Sequence, residues 1–290
     1  MSEAFYQEIL KKHLGNDIQL LETNNITGGC INESIKLSTN KGNFFIKHNA
    51  KLKTHFFDVE RKGLNLIRDN SDFTVPKVIG IGEFEHGVYL IMEHINSSRS
   101  SHDYWEKMGN YLAEMHKVTQ PEFGLNYHNY IGRLPQLNNK EEKWIDFFVN
   151  QRIVPQYEMS VQNGFLKQHH LDKIYLIKEK LENYFPKESP ALLHGDLWSG
   201  NTMVGALGEP CLIDPAVYYG HREAELAFTT LFGGFDDAFF NAYNETYPWE
   251  EGIKERIPFY NLYPLLVHLN LFGKSYLSEI EGVLNKLEEI

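Results

Sequence analysis

The chain has 290 residues, of which 42% are hydrophobic and 13% aromatic, enough to bury a substantial core and to exclude global disorder. Acidic residues outnumber basic ones by 39 to 28, a net charge of −11, which argues against a nucleic-acid partner, because phosphate backbones demand a basic footprint. Two cysteines, Cys30 and Cys211, are too few for a disulfide framework, and the opening residues lack the basic start and apolar run of a secretory signal.

In chain order, residues 3–14 carry apolar side chains at helical spacing and predict an opening helix. Short strands are predicted at Ile18–Leu21, Ser34–Leu37 and Asn43–Lys47, separated by Gly-bearing turns, followed by a helix over Asp58–Arg68. Val75–Ile79 and Val88–Met92 read as two further strands. From about Trp105 the pattern turns helical, at Tyr104–Val118, Trp144–Val149, Leu171–Asn183 and from Ala224 onward, interrupted by apolar triplets and turns at Ala191–Leu212. The expectation is an α+β chain of two lobes. Residues 1–92 form a small N-terminal lobe built on a sheet, 93–96 a hinge, and 97–290 a larger, mostly helical lobe. No window reaches the length of apolar run that a membrane span needs, so a soluble, cytoplasmic protein is expected.

The interrupting stretch carries the chemistry. His194-Gly195-Asp196 is followed by Asn201, five positions beyond the aspartate, and then by an apolar run ending at Asp214. That is the spacing of the H-R-D-x-x-x-x-N catalytic loop and the later metal-binding Asp of protein kinases. A hydroxyl attacking a phosphoryl group needs a base, the role expected of Asp196. Magnesium prefers hard oxygen donors, which Asn201 and Asp214 offer. Each residue alone reads better as a turn or capping residue; the ordered set between two apolar strands does not.

On the nucleotide side, Phe44-Phe45-Ile46-Lys47 is similar to the kinase V-A-I-K strand, and Glu60 on the next predicted helix fits a pair with Lys47; a solvated strand end and a surface helix acid are the alternatives. Gly28, Gly29 and Cys30 lie in the turn between the first two strands, where small residues would let backbone N–H groups approach phosphates; a plain hairpin turn is the alternative. Backbone groups from Glu93 to Ile95 in the hinge would meet an adenine.

These residues carry a specific resemblance. The chain looks like a member of the fructosamine kinase (ketosamine-3-kinase) family, in the aminoglycoside-phosphotransferase-like branch of the kinase fold. The similarity runs through HGDLWSGN (194–201), GGCINES (28–34), IGRLPQLNN (131–139), FFVNQRIVPQ (147–156), IDPAVYYGHREAELAFTTLFGGF (213–235) and YPLLVHLNLFGKSY (263–276). It implies a two-lobed protein-kinase-like fold and ATP- and Mg²⁺-dependent phosphorylation of the C3 hydroxyl of a ketosamine, small or protein-bound, after which the adduct breaks down and frees the amine. It assigns Asp196 as catalytic Asp, Asn201 and Asp214 as metal ligands, Lys47 as phosphate-binding Lys with Glu60 as its partner, and Cys30 as a phosphate-loop cysteine. Redox regulation through Cys30, and with it a disulfide-linked dimer beside a monomer, is one reading; a small buried thiol is the other.

The acceptor wall is expected from Trp198, Tyr218, Tyr219, His221 and Glu223, with Glu223 as partner of the substrate's secondary ammonium; Trp198 as a core residue, and His221 and Arg222 as groups that only cap or pair with that segment, are the alternatives. His268 and Asn270 read as satisfied helix groups. Three alternatives remain open on the residues: a same-fold kinase of a choline-like or aminoglycoside-like substrate, a catalytically dead nucleotide binder, and a metallophosphoesterase, which would need a further His/Asp cluster.

Overall fold

The computed structural model describes residues 2–26, 32–84 and 87–289; the expectation on Gly28, Gly29 and Cys30 lies outside them. Helix α1 (Glu3–Leu14) opens on Ser2, whose Oγ accepts the Phe5 N–H at 3.4 Å. Strands β1 (Leu20–Ile26), β2 (Glu33–Thr39), β3 (Gly42–Asn49), β4 (Val78–Phe84) and β5 (Gly87–Glu93) form one antiparallel sheet in the order β1-β2-β3-β5-β4. Helix α2 (Thr54–Asn70) lies between β3 and β4 in sequence.

The period-2 geometry of strands decides what this sheet presents. Phe44 and Ile46 of β3, with Tyr89 and Ile91 of β5, pack with Tyr6, Ile9 and Leu10 of α1. Val88, Leu90 and Met92 point the other way, onto Phe56 and Phe57 of α2. With both faces covered, β5 is buried over five consecutive residues. Lys47 sits between Ile46 and His48 and opposite Leu90, so it shares the α2 face.

The remaining elements are helix-rich. Helix α3 (Tyr104–His116) packs on α8 (Asp237–Thr246). The hairpin β6 (Asn129–Ile131) and β7 (Leu134–Gln136) precedes α4 (Trp144–Phe147), which runs through a π-helical segment (Phe148–Ile153) into α5 (Val154–Gln162) and then α6 (His169–Tyr184). Strand β8 (Ala191–Leu193) pairs with β11 (Tyr218–Gly220), and β9 (Thr202–Val204) with β10 (Pro210–Leu212). Helices α7 (Arg222–Leu231), α9 (Ile253–Phe272) and α10 (Leu277–Glu289) complete the chain. One core gathers Trp144, Phe147, Phe148 and the apolar side of α9; the other joins Leu64 and Ile67 of α2 to α3, Leu192, Leu212 and Val217. The second core ties the lobes, and the Leu212 N–H donates to Thr74 O at 3.0 Å across them.

The strand expected at Val75–Ile79 begins at Val78 and runs to Phe84, and the one expected at Ile18–Leu21 begins at Leu20. No helix among the described residues is long and apolar enough to cross a membrane.

Candidate active site

The two hairpins β8/β11 and β9/β10 bring three segments together. Residues 194–201 leave β8 and return into β9, and Asp214 follows β10. Gly195 has φ +82°, and a side chain there would run into the Ala216 carbonyl, so the turn before Asp196 requires glycine. Asp214 has φ +55°, the one left-handed non-glycine backbone among the described residues. Such a conformation persists only where its surroundings hold it.

The surroundings are polar and buried. Asn201 Nδ2 donates to Asp196 O at 2.8 Å and to Asp196 Oδ2 at 2.9 Å, closing the loop. The Ile213 N–H donates to Asn201 O at 3.1 Å, and the Ala216 N–H to His194 O at 2.9 Å. His194 is fully buried. Its Nε2 donates to Ile213 O at 2.9 Å, and its Nδ1 accepts the Asp196 N–H at 3.3 Å. His194 is thus a neutral strut, and burial pushes its pKa down despite Glu225 nearby.

Glu225 is the group that the sequence reading missed. Its carboxylate accepts the Gly195 N–H at 2.7 Å, the His194 N–H at 2.9 Å and His116 Nε2 at 3.0 Å. Burial opposes its charge, but the His116 hydrogen bond and the loop N–H groups outweigh that and hold its pKa low. A second missed network grips the chain after Asp214. Gln136 Nε2 donates to Ala216 O and Asn129 Nδ2 to Val217 O, each at 2.9 Å, while Asn138 joins Asn129 to Arg152. The fully buried Arg152 guanidinium lies 4.0 Å from the centre of the Tyr218 ring. The stretch 131–139 was singled out as a block in the sequence; its role as a clamp was not.

From the other lobe, Lys47 Nζ donates to Glu60 Oε1 at 2.6 Å and also contacts Asp214 Oδ1. Burial would lower the Lys47 pKa, but the Asp214 and Glu60 carboxylates overcome it and push it up, so the ammonium stays charged. Asp214 is half exposed, and one of its oxygens is outside the Lys47 pair. At residues 93–96, expected as the hinge, the Glu93 N–H donates to Lys77 O at 2.9 Å and the His94 N–H to Asn43 O at 3.2 Å. The Ile95 and Asn96 N–H groups have no backbone acceptor among the described residues.

Asp196 lies on the wall of a cavity open to solvent, lined also by Tyr218, Phe228, Tyr260, Tyr263 and His268. Burial pushes the Asp196 carboxyl up to about 7, against the Asn201 hydrogen bond and with help from Asp214 and Glu225. A carboxyl titrating there can exchange a proton near neutral pH.

Of the residues expected to form the acceptor wall, the structure brings Tyr218 to this cavity. Trp198 stands exposed nearby, its indole lying over Gly200, where a side chain would displace it. His221 and Glu223 correct the expectation. Glu223 is completely buried and closes a bidentate pair with Arg256, at 2.7 Å to Nε and 2.6 Å to Nη2. His221 caps α7 by accepting the Glu223 N–H and donates to Pro186 O at 3.0 Å. His221 and Glu223 are thus turned into the protein, whereas Ala224 and Glu225 of the same turn line the cavity. His268, read as a satisfied helix group, donates from Nδ1 to Pro264 O at 2.7 Å and also lines the cavity.

Asn201 and Asp214 could hold a cation. The Asn201 amide nitrogen is committed to Asp196, which leaves the amide oxygen as the free donor, beside a carboxylate. No cluster of three or more His, Cys, Asp or Glu suited to a metal occurs among the described residues. Magnesium needs none when phosphate and water oxygens complete its shell, so this pair fits it.

Comparison with known proteins places this geometry. The sequence profile of the family described as fructosamine kinase matches residues 1–289. A protein of Enterococcus faecium named a probable ketoamine kinase is 38% identical over 262 residues, covering 89% of this chain and 92% of that one. The crystal structure of a candidate fructosamine-3-kinase from Haemophilus somnus superposes with a TM-score of 0.88 at 29% identity, covering 97% and 96% of the two chains. Spectinomycin phosphotransferase shares the fold, with a TM-score of 0.60 at 17% identity over 100% of this chain and 94% of that one.

Proposed function

The chain belongs to the fructosamine kinase family, and we propose that it transfers the γ-phosphoryl group of ATP to the C3 hydroxyl of ketosamines. The observation that carries the reading is Asp196, its carboxyl raised toward neutrality, on the wall of an aromatic cavity and bonded to Asn201, whose carbonyl takes the N–H of Ile213 next to Asp214 of the Asp214–Lys47–Glu60 set.

In this reading Asp196 accepts the proton of the attacking sugar hydroxyl and aligns its oxygen. Lys47 neutralises nucleotide phosphate charge, and Glu60 fixes the ammonium where that charge arrives. Glu93 and Ile95 present backbone groups to the adenine, with the Ile95 N–H available to donate. The phosphate-loop role of Gly28, Gly29 and Cys30 belongs to the same proposal and rests on sequence alone. Asn201 and Asp214 would hold magnesium, which when bound neutralises charge on the transferring phosphates. Glu225 and His194 keep the loop rigid, so that the base needs no reorganisation as the reaction proceeds. A cytoplasmic setting is part of the proposal, as are ketosamines on either free amines or protein side chains.

The test is ADP release with ATP, magnesium and a panel of acceptors. Turnover on ribulosamine, erythrulosamine or fructosamine adducts is expected. Turnover on choline-like or aminoglycoside acceptors with none on any ketosamine would overturn the assignment.

A further inference from the structure

Seven large apolar side chains are exposed among the described residues, and three of them stand together beside the cavity. Trp198, Phe232 and Phe272 are 37%, 38% and 51% exposed. Phe232 meets Trp198 edge-on, with ring centres 6.1 Å apart, and lies 4.7 Å from His268, which in turn lies 5.4 Å from Phe272. His268 itself lines the cavity. Exposed aromatic rings in unbroken succession up to a cavity mark a binding surface, since scattered exposed residues need no explanation but a contiguous group does.

The charges nearby say what this surface takes. The carboxylates lining the cavity are Asp196 and Glu225. Asp196 belongs with the hydroxyl to be phosphorylated, and both Glu225 oxygens are occupied by backbone N–H groups and His116. Glu223, which could have met a cation, is closed off by Arg256. A cationic nitrogen entering here therefore finds ring faces, whose quadrupoles attract it, and no free carboxylate. Burial keeps the His268 pKa low, so that ring adds no opposing charge at neutral pH.

We propose that the Phe232–His268–Phe272 rim is the subsite for the amine half of the acceptor, holding the cationic nitrogen and its alkyl stem by aromatic faces instead of an ion pair. This rests on the ketosamine reading above and extends it. The rim selects secondary alkylammonium adducts, such as those on lysine side chains. It discriminates by charge as well as shape, because the same rings bind a neutral stem through apolar contact alone.

The experiment measures dissociation constants by titration calorimetry without nucleotide. The probes are a ketosamine bearing an alkylammonium stem and its ether isostere, in which oxygen replaces the amine nitrogen. The wild type is compared with the single variant Phe272→Leu and the double variant Phe232→Leu/Phe272→Leu, since leucine keeps apolar area and removes the π face. The double variant is expected to lose about fivefold in affinity for the ammonium adduct, the size of exposed cation–π contacts, and less than about twofold for the ether. Equal losses for both probes, or none, would overturn the proposal; the single variant decides the matter if the double one fails to fold. A wild type that binds the adduct but transfers no phosphate defeats the ketosamine-kinase reading and leaves the rim standing. A wild type that transfers phosphate while the variants bind unchanged does the reverse, and a wild type that binds neither probe defeats both.

Discussion

The Glu225 carboxylate accepts the Gly195 N–H at 2.7 Å, one residue before the proposed base, from the first turn of α7. The same carboxylate takes the His194 N–H, so one side chain fixes two successive peptide groups of the catalytic turn. Position of the base thus depends on a residue 29 positions away in the sequence.

Replacing Glu225 by Gln removes one of the two acceptor oxygens and turns an amide N–H toward backbone N–H groups. An orphaned buried donor costs about 1–3 kcal/mol. Urea unfolding of Glu225→Gln should show a loss of that order or somewhat more, and kcat should fall at least about tenfold as the base is displaced. Wild-type kcat with wild-type stability would show that the loop does not rely on this contact.

Lys47 and Glu60 make a buried pair whose separate deletions should differ from their joint deletion. Lys47→Met leaves two carboxylates facing each other and should cost about 3–5 kcal/mol in unfolding free energy, the cost of an uncompensated buried charge. Lys47→Met/Glu60→Leu should recover most of that stability, because apolar replacement of a buried pair is often neutral. Activity should stay lost in both. A double variant that regains phosphoryl transfer would remove Lys47 from the nucleotide site.

Much of this site could be read from the sequence, and the parts that could not share a cause. Asp196, Asn201, Asp214 and Lys47 are gathered as their spacing suggests, because the chemistry requires particular groups at short loop separations. Glu225, Gln136, Asn129 and Arg152 were invisible, because a residue that supports a loop from a distant element leaves no local pattern. His221 and Glu223 misled for the converse reason: polar side chains close behind Asp214 look functional, but the start of α7 is buried, and Arg256 arrives from α9 to neutralise the glutamate. In β4, Gly80 interrupts the apolar alternation that marks a strand. The structure explains it, since a side chain there would collide with the His13 imidazole of α1.

His194 and His221 share one arrangement that sets a pH dependence. Each accepts the backbone N–H two residues ahead on Nδ1 and donates from Nε2 to a carbonyl, so each is neutral when folded. Burial lowers both pKa values below the ordinary histidine value of about 6.5, reached in the unfolded chain. A lowered folded pKa means that the unfolded chain takes up protons first. Stability is then fully present above about pH 6.5 and declines as pH falls below it, by at most about 1.4 kcal/mol per pH unit per histidine. Chemical unfolding from pH 8 to 5 should show this slope, and His221→Asn, which keeps an acceptor for the Glu223 N–H, should flatten it. An unchanged slope would contradict a neutral, buried His221.

The most direct test of the whole account is mass spectrometry of a ketosamine incubated with ATP, magnesium and either the wild type or Asp196→Asn. The account predicts a singly phosphorylated adduct with the wild type. With the variant, the rate should drop at least about a hundredfold, the usual worth of a general base, while nucleotide affinity and the unfolding midpoint are preserved. Equal phosphorylation by the variant, or no phosphorylated adduct with the wild type, would contradict it.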